Sequence, residues 1–250
     1  MASGNDKCRV FTTVSGKGGA GKSTVSCMLG VALARLGHRT LLIDADEGLR
    51  CLDLMLGVDG EVVFDLADVL AGRCEVGDAI RPVPAAKGLW LLPAPRSAGQ
   101  IGEGLAPLIG TLREEFDRIL VDSSAGIGQG FRTAAAVSDE VLAVVGCDPV
   151  SIRDARQVCE LLRDITPSRR LMILNRFDYA AASRDLIPHV DAIIDATAMR
   201  LGGIIPYDPA LARGFLRGTP VTRGHAWRAF VRVAHRLEGK NVRLPKLKRL

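Results

Sequence analysis

Two lysines, a run of glycines and three hydroxyl side chains share one decapeptide, Ser15-Gly16-Lys17-Gly18-Gly19-Ala20-Gly21-Lys22-Ser23-Thr24. From Gly16 to Ser23 it satisfies G-x-x-x-x-G-K-[ST]. An apolar run precedes it and a helical pattern follows, which is the context the motif requires. Glycines allow successive backbone N–H groups to curl around an anion, and a helix N-terminus adds positive potential. The loop through Gly18, Gly19, Ala20, Gly21 and Thr24 is therefore expected to hold phosphate groups. Lys22 would reach the β- and γ-phosphates, and the Ser23 hydroxyl would bind Mg²⁺.

The same residues also spell Gly16-x-Gly18-x-x-Gly21, a dinucleotide-binding pattern, with Asp44 at a suitable distance. That reading, which would make the chain an NAD(P)-dependent oxidoreductase, leaves Lys22-Ser23 without a purpose. It also ignores a second acidic strand end. Thr40-Leu41-Leu42-Ile43 runs into Asp44-Ala45-Asp46, and Ile119-Leu120-Val121 runs into Asp122-Ser123-Ser124-Ala125-Gly126. Ligands of open parallel sheets gather at strand C-termini, so these acids should face the phosphates. Asp122 suits a carboxylate that orients Mg²⁺, a cation that prefers few carboxylates plus water and phosphate oxygens. A nucleoside triphosphate with Mg²⁺ explains all three segments.

These side chains need a scaffold, and the hydropathy pattern supplies one. Continuous apolar runs at Val10–Val14, Thr40–Ile43, Leu89–Leu92, Arg118–Val121, Glu140–Val145, Leu171–Leu174 and Leu201–Ile205 read as strands buried on both faces. Helical spacing lies between them. The Ser23–Leu36 pattern is closed by Gly37. A second helix over Ser151–Ile165 has Ser151 as its N-cap and Pro167 as its stop. A third over His225–Leu237 groups Trp227, Phe230, Val231, Ala234 and Leu237 on one side, with Arg228, Arg232 and Arg236 on another. Alternation of this kind predicts an α/β fold, one domain with a mostly parallel twisted sheet and helices on both faces. The domain is drawn over residues 1–238, with a short basic tail over 239–250.

The chain has 250 residues, 48% hydrophobic and 24% charged, which excludes disorder and a small stapled fold. No stretch approaches the roughly 18–20 apolar residues of a spanning helix. The N-terminus lacks an apolar signal core. Six cysteines without CxxC or zinc spacing read as reduced thiols, and the location expected is the cytoplasm. The net charge of +5 is uneven: residues 201–250 hold eleven Lys/Arg and two acids. Such an end suits an anionic partner, namely membrane lipid, nucleic acid or an acidic protein. The terminal Asn241-Val-Arg-Leu-Pro-Lys-Leu-Lys-Arg-Leu250 mixes four aliphatics with basic residues but has no aromatic. Alone it is a weak anchor, whereas two copies on one dimer would gain by avidity.

Lys17 beside Lys22 makes the loop similar to KGGxGK[ST], the deviant Walker A signature of the MinD/ParA group of P-loop ATPases. The likeness spans roughly residues 8–238 and is closest to the MinD branch. It includes Asp44-Ala-Asp-Glu-Gly-Leu-Arg-Cys-Leu-Asp-Leu-Met-Leu-Gly57, Asp122-Ser-Ser-Ala-Gly-Ile-Gly128, Asp148-Pro-Val-Ser-Ile-Arg-Asp154, Gly203-Ile-Ile-Pro-Tyr-Asp208 and Gly218-Thr-Pro-Val221. The resemblance implies that Lys17 crosses a homodimer interface to the partner's ATP. It implies that Asp44 joins Ser23 and Asp122 on the metal side, and that Asp46 positions the attacking water. Gly126 would turn its N–H toward the γ-phosphate, while Asn175, Arg176 and Pro206 would lie at the adenine. Ser124 departs from the family, which usually carries proline there.

The resemblance also implies a peripheral place at the inner face of the cell membrane and a protein partner of the MinC/MinE type. Two neighbours within the group share the same core: FlhG-like flagellar regulators and ParA-type DNA-partition ATPases. The second draws on the arginine stripe and the basic tail, and would show DNA binding that falls steeply with salt.

Overall fold

The computed structural model describes residues 7–244, except 98, 100 and 166–168. Pro167 and the tail from Pro245 to Leu250 thus lie outside the described residues. The first half comprises β1 (Arg9–Val14), α1 (Lys22–Arg35), β2 (Thr40–Ala45), α2 (Leu52–Leu56), α3 (Leu66–Leu70), α4 (Val76–Ala79), β3 (Arg81–Pro82), β4 (Leu89–Leu92) and α5 (Leu105–Leu112). Then come β5 (Arg118–Ser123), α6 (Gln129–Ala136), β6 (Glu140–Val145), α7 (Pro149–Ile165), β7 (Arg169–Phe177) and α8 (Tyr179–Ala182). The chain continues through α9 (Val190–Thr197), β8 (Arg200–Pro206), α10 (Pro209–Phe215) and α11 (Gly224–Leu237).

The strands form one sheet in the order β3-β4-β2-β5-β1-β6-β7-β8. Seven are mutually parallel, and only the two-residue β3 runs antiparallel to its neighbour β4. The seven continuous apolar runs each become a strand because both faces of the sheet are covered. Leu42, Leu120, Leu142 and Ile173 pack with α1 and α11 on one face. Their sequence neighbours Val141, Ala143, Met172 and Leu174 pack with α7 and α9 on the other. On that same second face Leu41, Ile43, Ile119 and Val121 meet α5. Alternation across a pleat with two apolar sides gives an unbroken hydrophobic run.

The helices follow their spacing with three adjustments. α1 begins at Lys22, and Gly37 ends it in the left-handed conformation at φ 99°. α7 begins at Pro149, two residues before the expected cap Ser151. Asp148 takes the capping role instead, accepting the Ser151 N–H at 3.0 Å and the Ser151 hydroxyl at 2.6 Å. Proline at the first helical position is tolerated because its missing donor would have had no partner there. On α11 the buried face is Ala226, Ala229, Phe230, Val233, Ala234 and Leu237. Val231, expected there, is half-exposed, and Val233 packs against Gly203 of β8 instead. Among the described residues no helix is long and apolar enough to cross a membrane.

Arg118, at the start of β5, is only 1% exposed. Its guanidinium forks onto Glu238 just past α11, with Nε to Oε1 at 2.7 Å and Nη2 to Oε2, and Nη1 donates to the Asp117 carbonyl at 2.7 Å. This pair ties the end of α11 to the middle of the sheet.

Candidate active site

β1 delivers the glycine loop to the C-terminal edge of the sheet, and α1 starts as the loop ends. Gly21 stands before the helix at φ 92°, with no side-chain cap on α1. The first N–H groups of α1 therefore point outward without a side-chain acceptor, which is what an anion requires. Gly16 is needed for close approach: a Cβ there would lie 2.6 Å from the Cβ of Asp154 on α7. A Cβ on Gly21 would collide with the Asn175 amide.

Lys22 is 6% exposed, and its Nζ lies 3.9 Å from Asp46 Oδ2. Asp46 is equally buried, and burial raises its pKa against the opposing charge of Lys22. Asp44 and Asp122 stand side by side in the register of β2 and β5. Asp122 Oδ1 accepts from Thr13 Oγ1 and from Ser26 Oγ, each at 3.0 Å. Asp122 Oδ2 is buried without a hydrogen-bond partner. Burial raises the Asp122 pKa, opposed by Lys22 and by the hydroxyls of Ser23, Ser26 and Thr13.

Asp44 is pushed up to about 8 by burial and by the neighbouring Asp122. Its Oδ1 accepts the Asp46 N–H at 3.1 Å, and its Oδ2 accepts those of Cys51 and Leu52 at 3.2 and 3.1 Å. Asp44 thus pins the loop that carries Asp46. The orphaned Asp122 oxygen beside the Ser23 hydroxyl is a donor set that fits Mg²⁺, a cation completed by water and phosphate oxygens.

Lys17 leaves the loop on its outer side. Its Nζ donates to Asp148 Oδ1 at 2.9 Å, with the two side chains 36% and 50% exposed. Burial pushes the Asp148 pKa up, but the bonds from Ser151 and Lys17 outweigh it, and the carboxyl stays ionised well below its usual range. Gly126, at φ 86°, donates its N–H to the Ser15 carbonyl at 3.1 Å, joining the segment after β5 to the start of the glycine loop.

Asn175 is buried at the end of β7 and gives its amide to the Ala20 carbonyl at 2.9 Å. Arg176, left-handed at φ 56°, gives Nη1 to the Gly19 carbonyl at 3.2 Å. Both residues buttress the phosphate loop. Pro206 is buried at the end of β8 and pairs in register with Phe177.

Every residue assigned from the sequence to the nucleotide site therefore lies at one edge of the sheet, on the glycine loop or on the strand ends and segments that adjoin it. Sequence reasoning missed the layer behind it. Thr13 and Ser26 share a 2.6 Å bond and together hold Asp122. A threonine inside an apolar strand, and a serine one turn past Lys22, were the signals available. The Lys17 partner Asp148 was read only as part of a motif.

A cradle for phosphates on a parallel sheet, with a buried lysine and a carboxylate short of a partner, defines a P-loop nucleotide-binding protein. The profile of the CobQ/CobB/MinD/ParA nucleotide binding domain matches residues 11–221. The chain belongs to that family, and within it to the MinD-like ATPases. It is 37% identical over 241 residues to the septum site-determining protein MinD of Synechocystis sp., covering 94% of this chain and 91% of that one. Its fold matches MinD in the MinC:MinD cell division protein complex of Aquifex aeolicus with a TM-score of 0.90 at 36% identity, covering 96% and 99% of the two chains. The Pyrococcus horikoshii MinD complexed with Mg-ADP matches with a TM-score of 0.83 at 29% identity, covering 92% and 96%.

Proposed function

We propose that this ATPase acts as a dimerising switch in septum-site determination. The observation that carries the reading is the division of labour between the two loop lysines. Lys22 is buried inside the cradle against Asp46, and Lys17 stands outside it on a half-exposed ion pair. A pair this exposed contributes about 0–1 kcal/mol, so Lys17 leaves Asp148 at little cost. An approaching second copy that carries a triphosphate offers Lys17 a stronger anionic acceptor. Lys17 then joins the two subunits, each lysine serving its partner's nucleotide.

Within one subunit the N–H groups of Gly18, Gly19, Ala20, Gly21, Lys22, Ser23 and Thr24 bind the β-phosphate and its neighbours. Lys22 neutralises charge on the β- and γ-oxygens. Ser23 and Asp122, with Asp44 behind them, would hold Mg²⁺, which supplies charge neutralisation on the phosphates. Asp46, placed by the Asp44 carboxylate, orients the water that attacks the γ-phosphate. Gly126 exchanges the Ser15 carbonyl for a γ-oxygen, which makes the segment after β5 sensitive to hydrolysis. Asn175, Arg176 and Pro206 form the side of the site nearest the base. Hydrolysis removes the shared anion and lets the pair separate.

We place the protein in the cytoplasm, with the 239–250 tail of the paired form attaching to the anionic inner face of the membrane, and with a MinC-type protein as partner. The DNA-partition alternative draws on the arginine stripe of α11 together with the basic tail. In that stripe Arg236 is already committed to the Leu201 carbonyl at 3.3 Å, which leaves Arg228 and Arg232.

Light scattering with ATP and with ADP tests the switch. ATP should double the mass of the wild type and leave Lys17→Ala monomeric while that variant still binds ATP. Asp46→Ala should stay paired in ATP. A Lys17→Ala protein that pairs normally would refute the cross-subunit role. Co-sedimentation with anionic vesicles that is equal in ATP and ADP would refute the gated membrane attachment.

A further inference from the structure

A second concentration of charge lies at the opposite end of the sheet. Arg169 and Arg170 open β7, Arg200 opens β8, and Arg163 stands in the last turn of α7. These four guanidinium-bearing residues line one notch of about 180 Å³ beside the turn at Ala198. The notch is smaller than the ~300–1,000 Å³ of ordinary small-molecule pockets, so it suits a single anionic group rather than a whole nucleotide.

The acids nearby do not balance these charges. Glu140 is the carboxylate that faces the cluster, and it is already shared between Arg9 Nη2 at 2.9 Å and Arg169 Nη2 at 3.5 Å. Among the described residues Arg163, Arg170 and Arg200 have no ion-pair partner. Arg236, on the neighbouring helix, is held below its usual pKa by burial and then by the charge of Arg200, so the guanidiniums repel one another here. Crowded arginines in a concave site are stabilised by an anion that accepts several N–H groups at once. The planar fork of arginine matches the oxygens of phosphate.

We propose that this notch is a phosphate-binding site distinct from the nucleotide cradle. The two lie at opposite ends of parallel strands, at least roughly 20 Å apart for a six-residue strand. α11 ends at Leu237, whose carbonyl accepts from Arg9 Nη1, and the chain then returns so that Arg243 and Leu244 line a small crevice with Gly202 and Ile204 of β8. The basic tail therefore departs from the same end. The phosphate can be that of an anionic lipid headgroup or a free phosphate monoester, since both present the same oxygens.

The test uses the full chain saturated with Mg·ADP, so that the cradle is filled. Inorganic phosphate is titrated by calorimetry into the wild type and into a double variant, Arg163→Gln with Arg170→Gln. Neither residue supports the fold through an ion pair, and ADP affinity measured in parallel should be unchanged. Saturable phosphate binding that weakens at least tenfold in the double variant supports the site. Vesicle flotation then identifies the source. A double variant that also floats less with phosphatidylglycerol, in competition with free phosphate, points to the headgroup. Unchanged flotation with lost phosphate binding points to a soluble phosphate. No saturable phosphate binding, or binding indifferent to both substitutions, overturns the proposal.

Discussion

The two ends of the sheet carry opposite chemistry. At the C-terminal strand ends Asp44, Asp46 and Asp122 are buried together, and the lysine that answers them belongs to the phosphate loop. At the N-terminal ends Arg9, Arg118, Arg169, Arg170 and Arg200 prevail, with Glu140 and Glu238 as their carboxylates. Helix direction accounts for part of this. Helices between parallel strands run back antiparallel to them, so their positive N-termini collect at one end and their negative C-termini at the other. Arg35, Arg163 and Arg236 all sit in last turns. The lesson is that each end favours the side-chain charge its helix ends attract. That balance is left incomplete at buried carboxylate oxygens of Asp122 and Glu140 that lack a hydrogen-bond partner and, among the described residues, at Arg163, Arg170 and Arg200, which have no ion-pair partner.

The comparison is broken most severely at the basic end. Glu238→Ala removes the carboxylate onto which the buried Arg118 guanidinium forks, and it should destabilise the protein by about 3–5 kcal/mol in urea denaturation. The same pair sets a pH dependence. Burial alone would raise the Glu238 pKa, but Arg118 lowers it below its unfolded value. The stabilisation is then complete above the unfolded pKa of roughly 4.3 and is lost as pH falls through the folded one. Wild-type urea midpoints should decline in that acid window, and Glu238→Gln should flatten that part of the profile.

At the acidic end Lys22→Ala should weaken ATP binding about a hundredfold, which corresponds to ~2.7 kcal/mol in calorimetry, with the fold retained. Ser26→Ala removes one of the two hydroxyls that donate to Asp122 Oδ1. It should lower stability by about 1 kcal/mol, and it should weaken Mg·ATP more than ATP alone. The smallest effect falls on Lys17→Ala, whose exposed pair should change monomer stability by less than about 1 kcal/mol in thermal unfolding.

The reading from sequence succeeded where one physical cause dominates. Val141 through Val145 had to be a strand covered twice, because no other element buries an unbroken apolar run so cheaply. Gly16 to Ser23 had to be a glycine-rich loop between a buried strand and a helix, and it joins β1 to the start of α1. It failed where two causes compete. Ser151 and Asp148 are both good caps, and Pro149 decides between them by fitting the first helical position. Val231 and Val233 both suit an apolar face, and only the contact with Gly203 selects Val233. The two-residue β3 has no periodicity to detect. Thr13 and Ser26 converge on Asp122 from different elements, and such convergence exists only once the sheet has formed.

β5 begins at the residue clasped to Glu238 and ends just past Asp122. It is bonded to β1 on one side and β2 on the other along its length. A strand laced on both edges can neither stretch nor slide, so it works as a strut. The root of the C-terminal segment is thereby held at a fixed distance from the place where triphosphate is read. Under the proposed pairing, nucleotide dependence of that segment arises from counting, two roots instead of one, rather than from a pull transmitted within a single subunit.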